Sequence, residues 1–323
     1  YEIIGLSIVR GNLPSARELA DHVKHRNPHA TIVAGGFEAT LRDAFVLSAA
    51  PAVDFVVRGE GEETLLAVIR RLERGEDVQQ VEGLTYRVSG DIVRTPPRRL
   101  IAPLDRLPLP ARDLLPPLSN YALHIDATTG ATSTVGTLVA SRGCPCRCSF
   151  CAVPRYYDDC PGSAWRVRSP DSVADEVEEL VLRHGAGFVA FMDDNFLVGW
   201  SRAESLFACL HRKGIAVPLQ FAARVDEVLR HRAVLPTLRA AGCLAVEIGV
   251  ESGSDNSLRR FNKGTTAHGN AEAIAALREA NLEPEVDFIM FEPFATLEQG
   301  LEETVAWFKQ DAESRRAQPE EQR

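Results

Sequence analysis

Two stretches of apolar runs alternating with helical spacings organise this chain. Ile3–Val9 is a continuous apolar run of the kind that forms a buried strand. The next segment has helical spacing, with Leu19 and Val23 on one face, a capping box from Ser15 to Glu18, and a stop at Asn27-Pro28. Strands are predicted at Thr31–Ala34, running into Gly35-Gly36, and at Val53–Val57, running into Gly59-Glu60-Gly61-Glu62. A helix with Leu65, Val68, Ile69 and Leu72 on one face ends at Gly75. Leu84–Val88 and Ile92–Arg94, around Ser89-Gly90-Asp91, predict a hairpin. Short strand–helix connections imply a parallel sheet covered on both faces. Glycines at the carboxyl ends of such strands let a ligand approach the backbone.

The proline-rich, aperiodic stretch from about Thr95 to Pro117 predicts a linker, or else an extended strap packed across the domain junction. The alternation then resumes. Strand Thr137–Ser141 is followed by a helix opened by Ser169-Pro170, with Val173, Val177, Leu180 and Val181 inward and Gly185 at its end. Strand Phe188–Met192 precedes a helix capped by Ser201 and Glu204 and closed at Gly214. Strands Leu219–Ala223, Leu244–Val250 and Val286–Phe291 follow, with a helix at about Ala267–Ala280 and a last one at about Leu297–Lys309. Five strand–helix units fall short of a closed eight-stranded barrel, so the sheet is expected to be an open, partial barrel. The domains read as 1–95, a linker over 96–136, a core over 137–310 and a charged tail over 311–323. Because an apolar strand opens the chain at Tyr1, upstream residues are expected to be missing.

Charge changes the picture only by exclusion. A net charge of -9 argues against a sequence-independent grip on nucleic acid. No apolar run is long enough to span a bilayer, and no signal peptide is present, so a cytoplasmic protein is expected.

Cysteine changes it more. Of seven cysteines none precedes Cys144, and four fall between Cys144 and Cys151, in SRGCPCRCSFC. Thiols this close point to metal or redox chemistry rather than a disulfide framework. Cys144, Cys148 and Cys151 can converge from one loop on an iron–sulfur cluster, and three thiolates would leave one iron of a four-iron cluster open. Zinc held by four cysteines, with Cys146 included, is the alternative. Cys160, Cys209 and Cys243 read as small core or surface residues.

Cys144, Cys148 and Cys151, with Arg142-Gly143 and Ser149-Phe150, resemble the CxxxCxxC motif of radical S-adenosylmethionine (SAM) enzymes. FMDDNF (191–196), FAARVD (221–226), IGVESGS (248–254), Lys263-Gly264-Thr265 and FIMFEP (288–293) match the later strand ends of that family. The resemblance implies a [4Fe-4S] cluster that cleaves SAM reductively to a 5′-deoxyadenosyl radical. It also implies cofactor contacts from Met192, Asp193, Asp194, Arg224, Glu251 and Ser252. For the acids, helix capping or an ion pair is the competing role, and Arg224 could instead pair with Asp226 or Glu251.

The pattern GLS…AGG…DFVVRGEGE is similar to the cobalamin-binding domain that precedes many such enzymes, matching at Ser7, Gly35, Gly36, Gly59, Glu60, Gly61 and Glu62. No DxHxxG cobalt-ligand motif occurs, and His22, His25 and His29 read as solvated. The implied fold is α/β, a partial Rossmann-like cobalamin-binding domain followed by a partial (β/α)6-type barrel, apparently truncated at both ends. The implied activity is cobalamin-dependent methylation of an unactivated carbon of a small molecule. The implied electron donor is a flavodoxin or ferredoxin. A radical cyclase or rearrangement enzyme and a non-catalytic cluster-binding remnant are alternatives. The transfer-RNA methylthiotransferases need amino-terminal cluster cysteines, and residues 1–143 have none.

Overall fold

The structure is a computed structural model that describes residues 2–9, 11–120, 123–125, 131–290, 305 and 309. The predicted helix over 297–309 lies outside these residues except at Val305 and Lys309, which are helical, and the predicted tail over 311–323 lies outside them entirely. The chain divides into two compact units, one of residues 1–102 with 151–164 and the other of 103–150 with 165–323.

In the first unit, β1 (Ile3–Ser7), β2 (Thr31–Gly35) and β3 (Phe55–Val57) are parallel, and β4 (Leu84–Val88) and β5 (Asp91–Arg94) add an antiparallel hairpin in sequential order. Helices α1 (Leu13–Arg26), α2 (Phe37–Leu41), α3 (Asp43–Ala49) and α4 (Gly61–Glu73) connect the strands. Alternate residues of β2 serve separate cores: Ile32 and Ala34 pack with Ala20 and Val46, and Val33 packs with Val57 and Val68. Both faces of this sheet are therefore covered, as the alternation predicts. The start of α1 differs from the prediction. It begins at Leu13 with Pro14 in its first turn, Ser15 lies inside it, and Leu19 is exposed. The rigid φ of proline suits a first turn and takes precedence over the capping box. His22, His25 and His29 are exposed.

The segment 151–164 carries α5 (Val153–Tyr157), which packs on α2: the Tyr156 ring stacks on Phe37 at 4.3 Å and its hydroxyl donates to Gly59 O at 2.6 Å.

In the second unit, β7 (Thr132–Leu138), β10 (Phe188–Phe191), β11 (Leu219–Arg224), β12 (Cys243–Glu251) and β13 (Glu283–Phe288) form a parallel run, with β6 (Leu123–Ile125) antiparallel on β7. Among the described residues the order β13-β12-β11-β10-β7-β6 leaves both edges without a partner strand, the open partial barrel expected from five strand–helix units. A two-residue pair, β8 (Ser141–Arg142) and β9 (Arg166–Val167), lies just after β7. Helices α6 (Pro170–Leu182), α7 (Trp200–Arg212), α8 (Val225–Arg230), α9 (Leu235–Ala240) and α11 (Ala267–Glu279) cover one face, and a short α10 (Asp255–Arg260) follows β12. Ser169 caps α6 by accepting from Ser172 N at 3.2 Å. The cap predicted for α7 is displaced: Gly199, at φ 74°, turns the chain into Trp200, and Ser201 is already helical. Strand β13 begins three residues before the predicted Val286, because Pro284, Val286 and Phe288 form its helix-facing row while Glu283, Glu285 and Asp287 alternate with them. On β12, Glu247 shares a hydrogen bond with Asp287, and burial, then the Asp287 charge, pushes Glu247 up to about 7.

Residues 96–120 hold short 3-10 turns at Leu104–Arg106, Arg112–Leu114 and Leu118–Asn120, anchored by buried Leu100, Ile101, Leu104 and Leu118. The prolines thus give a packed strap.

Candidate functional site

The carboxyl end of β7 leads through Val139-Ala140 into β8 and the cysteine loop. Asp193, just past β10, fixes that departure: its carboxylate accepts from Ala140 N at 2.7 Å and from the Ser141 hydroxyl. Arg202 of α7 lies 3.9 Å away. The carboxylate is buried, and burial raises its pKa against the lowering effect of these donors. Both oxygens are spent on the fold. Asp194, by contrast, is exposed and accepts from the Gly143 amide, and Met192 is 62% exposed. Of the three consecutive positions predicted from sequence, Met192 and Asp194 remain open to a ligand.

Arg224 closes β11. Its Nε donates to Asp226 at 2.8 Å, its Nη2 to Lys263 O, and its Nη1 reaches the Cys148 sulfur at 3.0 Å. Asn195 Oδ1 accepts from its backbone N at 3.3 Å. The residue is thus both a partner of Asp226 and a neighbour of a motif cysteine. Ser149 and Arg147, on either side of Cys148, are tied to the turn after α10: Ser149 N donates to Phe261 O at 2.8 Å, and Asn262 Nδ2 donates to Arg147 O at 2.8 Å.

Glu251 ends β12 in the left-handed region at φ 65° and pairs with Lys263, Nζ to Oε1 at 2.7 Å. Gly249 makes room for that pair. A Cβ there would lie 2.6 Å from Glu251 Oε1 and 2.7 Å from Lys263 Nζ. Asn270, fully buried in α11, donates to Val250 O at 3.1 Å and to Ser252 O at 3.0 Å, which fixes the strand end. Lys263 was visible as part of a motif but without a role, and Asn270 gave no sequence signal. Both act through contacts made between distant segments.

Cys144 and Cys146 share a hydrogen bond that holds the Cys144 proton in place and favours the Cys146 thiolate. None of the seven cysteines is joined in a disulfide, and the unit boundary falls between Phe150 and Cys151. Among the described residues no three His, Cys, Asp or Glu side chains are gathered into a cage for a single metal ion. Cys209 and Cys243 are buried, with Sγ donating to Asp171 and to Ala245 O, respectively.

In the first unit, Ser7 and Gly35 are register partners at the ends of β1 and β2, and Gly59 follows β3 at the same sheet edge. Ser7 is exposed, and a Cβ added at Gly5 would meet nothing within 4 Å. Gly36, at φ 98°, is required by the fold itself, since a Cβ there would stand 2.9 Å from Ile8 O. Glu60 is buried and accepts from Ile101 N at 2.7 Å. Gly61 and Glu62 open α4.

The family model of the radical SAM superfamily matches residues 138–307, from the end of β7 onward. The chain belongs to the radical SAM superfamily. The B12 binding domain model matches residues 1–69, the strand ends just described. An uncharacterised methyltransferase of Pyrococcus horikoshii is 28% identical over 308 residues, 95% of this chain and 64% of that protein. An anaerobic magnesium-protoporphyrin IX monomethyl ester cyclase of Cereibacter sphaeroides is 31% identical over 313 residues, 95% of this chain and 49% of that protein. Among solved structures, the cobalamin-dependent SAM radical enzyme OxsB with aqua-cobalamin bound superposes with a TM-score of 0.76 at 25% identity, over 95% of this chain and 43% of that one. The chain thus spans about half to two thirds of the curated relatives it matches. This radical SAM chain carries the two domain types whose cofactors are a [4Fe-4S] cluster with SAM and cobalamin. The donor chemistry fits: soft thiolates on one loop beside a guanidinium suit an anionic cluster, and an open row of strand ends suits a large flat ligand. No helix among the described residues is long and apolar enough to cross a membrane.

Proposed function

We propose that the chain carries the core of a cobalamin-dependent radical SAM enzyme that methylates an unactivated carbon of a small molecule. Cys144, Cys148 and Cys151 are the proposed cluster ligands, with Cys146 outside the set. When bound, the cluster supplies the electron that cleaves SAM to methionine and a 5′-deoxyadenosyl radical, and cobalamin supplies methyl transfer.

The supporting observation is the Arg224 guanidinium 3.0 Å from the Cys148 sulfur at the carboxyl ends of the strands. A buried cation there favours each added negative charge, including an electron. Asp193 sets the departure of the loop from β7. Asp194 and Met192 are the proposed contacts to the amino group of SAM, with Glu251 and Ser252 proposed near its ribose and carboxylate. Ser7, Gly35 and Gly59 are the proposed cobalamin contacts, with Gly61 and Glu62 at the start of α4; Gly36 and Glu60 support that rim from within. A ferredoxin or flavodoxin is the proposed electron donor. A reducing cytoplasmic setting suits seven cysteines without a disulfide.

The test is electron paramagnetic resonance of anaerobically reconstituted, dithionite-reduced protein before and after SAM. A four-iron signal that shifts on SAM addition supports the reading, and it should vanish in Cys148→Ala. Zinc in place of iron, in protein isolated without air, would overturn it. Ring-forming radical chemistry is a second reading, favoured by the likeness to the cyclase. Methyl-labelled SAM separates the two, because label passing to bound cobalamin belongs to methyl transfer alone.

A further inference from the structure

A cavity of about 590 Å³ lies in the second unit between the strap and β7. The leucines and prolines of 104–118 form one side, and Val135, Val139 and Met192 form the other. Its volume is in the range of small-molecule pockets, and its mostly apolar walls exclude a heavily hydroxylated or multiply charged occupant.

Its polar content is lopsided. The lining includes three arginines, Arg112, Arg142 and Arg168, against one carboxylate, Glu176. Glu176 is 1% exposed and is shared by two guanidinium groups, Arg112 at 2.5 Å and Arg168. Arg168 spends its donors on Glu176, Ser172 and Val139 O. Arg112 gives its Nη2 to Glu176 and to Thr137 O at 2.8 Å. Its Nη1 is buried and has no hydrogen-bond partner, although the side chain is only 9% exposed. Two cations on one carboxylate leave a net positive charge in an apolar wall. Burying such a charge with an idle donor is costly unless something else satisfies it. The planar guanidinium fork matches a carboxylate or phosphate oxygen pair.

We infer that this cavity is a substrate subsite for a largely apolar molecule bearing a single anionic group, which Arg112 receives. The inference rests on the proposed function and narrows its substrate class. The cavity reaches Met192, a proposed SAM contact, and Arg142, two residues before Cys144. An apolar body held there would present its unactivated carbons toward the cluster loop.

The probe is 11-(dansylamino)undecanoic acid, compared with its methyl ester by fluorescence titration of the anaerobically reconstituted protein. The acid should bind at least about ten-fold more tightly than the ester. Arg112→Met should abolish that preference, and Arg112→Lys should keep part of it. Leu109→Trp, which fills the cavity from the strap without touching Glu176, should weaken both probes about ten-fold or more with an unchanged melting temperature. Equal binding of acid and ester, or a preference that survives Arg112→Met in folded protein, would overturn the inference. If Arg112→Met does not fold, acid binding unaffected by Leu109→Trp overturns it. The resonance measurement runs in parallel. A cluster signal that shifts with SAM in protein that ignores the probes sinks the subsite alone. Probe binding beside a cluster indifferent to SAM sinks the proposed function and leaves the subsite standing.

Discussion

Two arginines stand at the carboxyl ends of parallel strands, the partly buried Arg58 just past β3 and the buried Arg224 at the end of β11. Arg58 donates to Leu84 O at 3.2 Å and to Thr95 O, and its Nε stays 3.9 Å from Asp43. Arg224 turns one nitrogen to a thiol. Burial pushes both guanidinium groups down, and for Arg58 it prevails. For Arg224 the opposing charge of Asp226, joined by Cys146 and Cys148, outweighs burial and holds it above its usual range. A place at a strand end therefore does not make a residue functional. What separates the two is whether the buried charge is spent on the backbone of its own sheet or aimed at a group with chemistry of its own.

The sharpest way to break this contrast is through Asp43. It is buried, takes two bonds of 2.7 Å from Arg94 and one of 2.6 Å from Thr85, and lies closest to Arg58 among carboxylates in ion-pair range. Burial alone would raise its pKa, but these donors hold it below the usual range. Asp43→Asn should cost about 2–3 kcal/mol in denaturant unfolding, because it weakens the buried bonds to Thr85 and Arg94 and leaves Arg58 without its nearest carboxylate, yet leave the cluster resonance unchanged. A changed resonance in folded protein would erase the distinction between the two arginines.

Arg224→Met should do the converse. The cluster should still assemble, but its midpoint potential should fall by about 60 mV, roughly one charge-assisted hydrogen bond for a one-electron couple. Redox titration followed by electron paramagnetic resonance measures this. An unchanged potential would reduce Arg224 to a structural partner of Asp226.

The smallest effect is expected at Glu247, whose pKa rises from 4.5 to about 7 in the fold. Folded protein then binds more protons than unfolded protein between these values, so stability falls as pH rises through the window and levels off above it. Glu247→Gln should remove that slope. The variant should match the wild type below pH 4.5 and exceed it above pH 7 by less than about 1 kcal/mol, since the residue, though partly desolvated, keeps much of its surface in water. Equal pH profiles in thermal melts would show that the Asp287 contact carries no charge effect.

The sequence made legible what depends on neighbours along the chain. Gly185 and Gly214, at φ 69° and 68°, end α6 and α7 as expected, because a left-handed residue after a helix is a local requirement. The Ser169 cap is local too. Start signals that compete were misread: Pro14 overrode Ser15, and Gly199 overrode Ser201. In β13 the acidic row of an alternating strand hid its true beginning. At the candidate site, the cysteine spacing and the positions of the strand ends are local features of the pattern. The division of labour between Asp193 and Asp194 was not, because it depends on the Ala140 amide more than fifty residues earlier. The pairing of Arg112 with Glu176 spans 64 residues and left no trace in the pattern.

The return of residues 151–164 to the first unit has a consequence for synthesis. A ribosome delivers residues 1–102 long before it delivers Tyr156, whose ring covers Phe37 and whose hydroxyl meets Gly59. The first unit cannot close its α2 surface until Cys144, Cys148 and Cys151 have been made. Domains usually mature in order from the amino terminus. Here completion of the earlier one waits on the arrival of the cysteine loop, so the protein's schedule of assembly joins folding of the first unit to the moment at which the proposed cluster ligands exist.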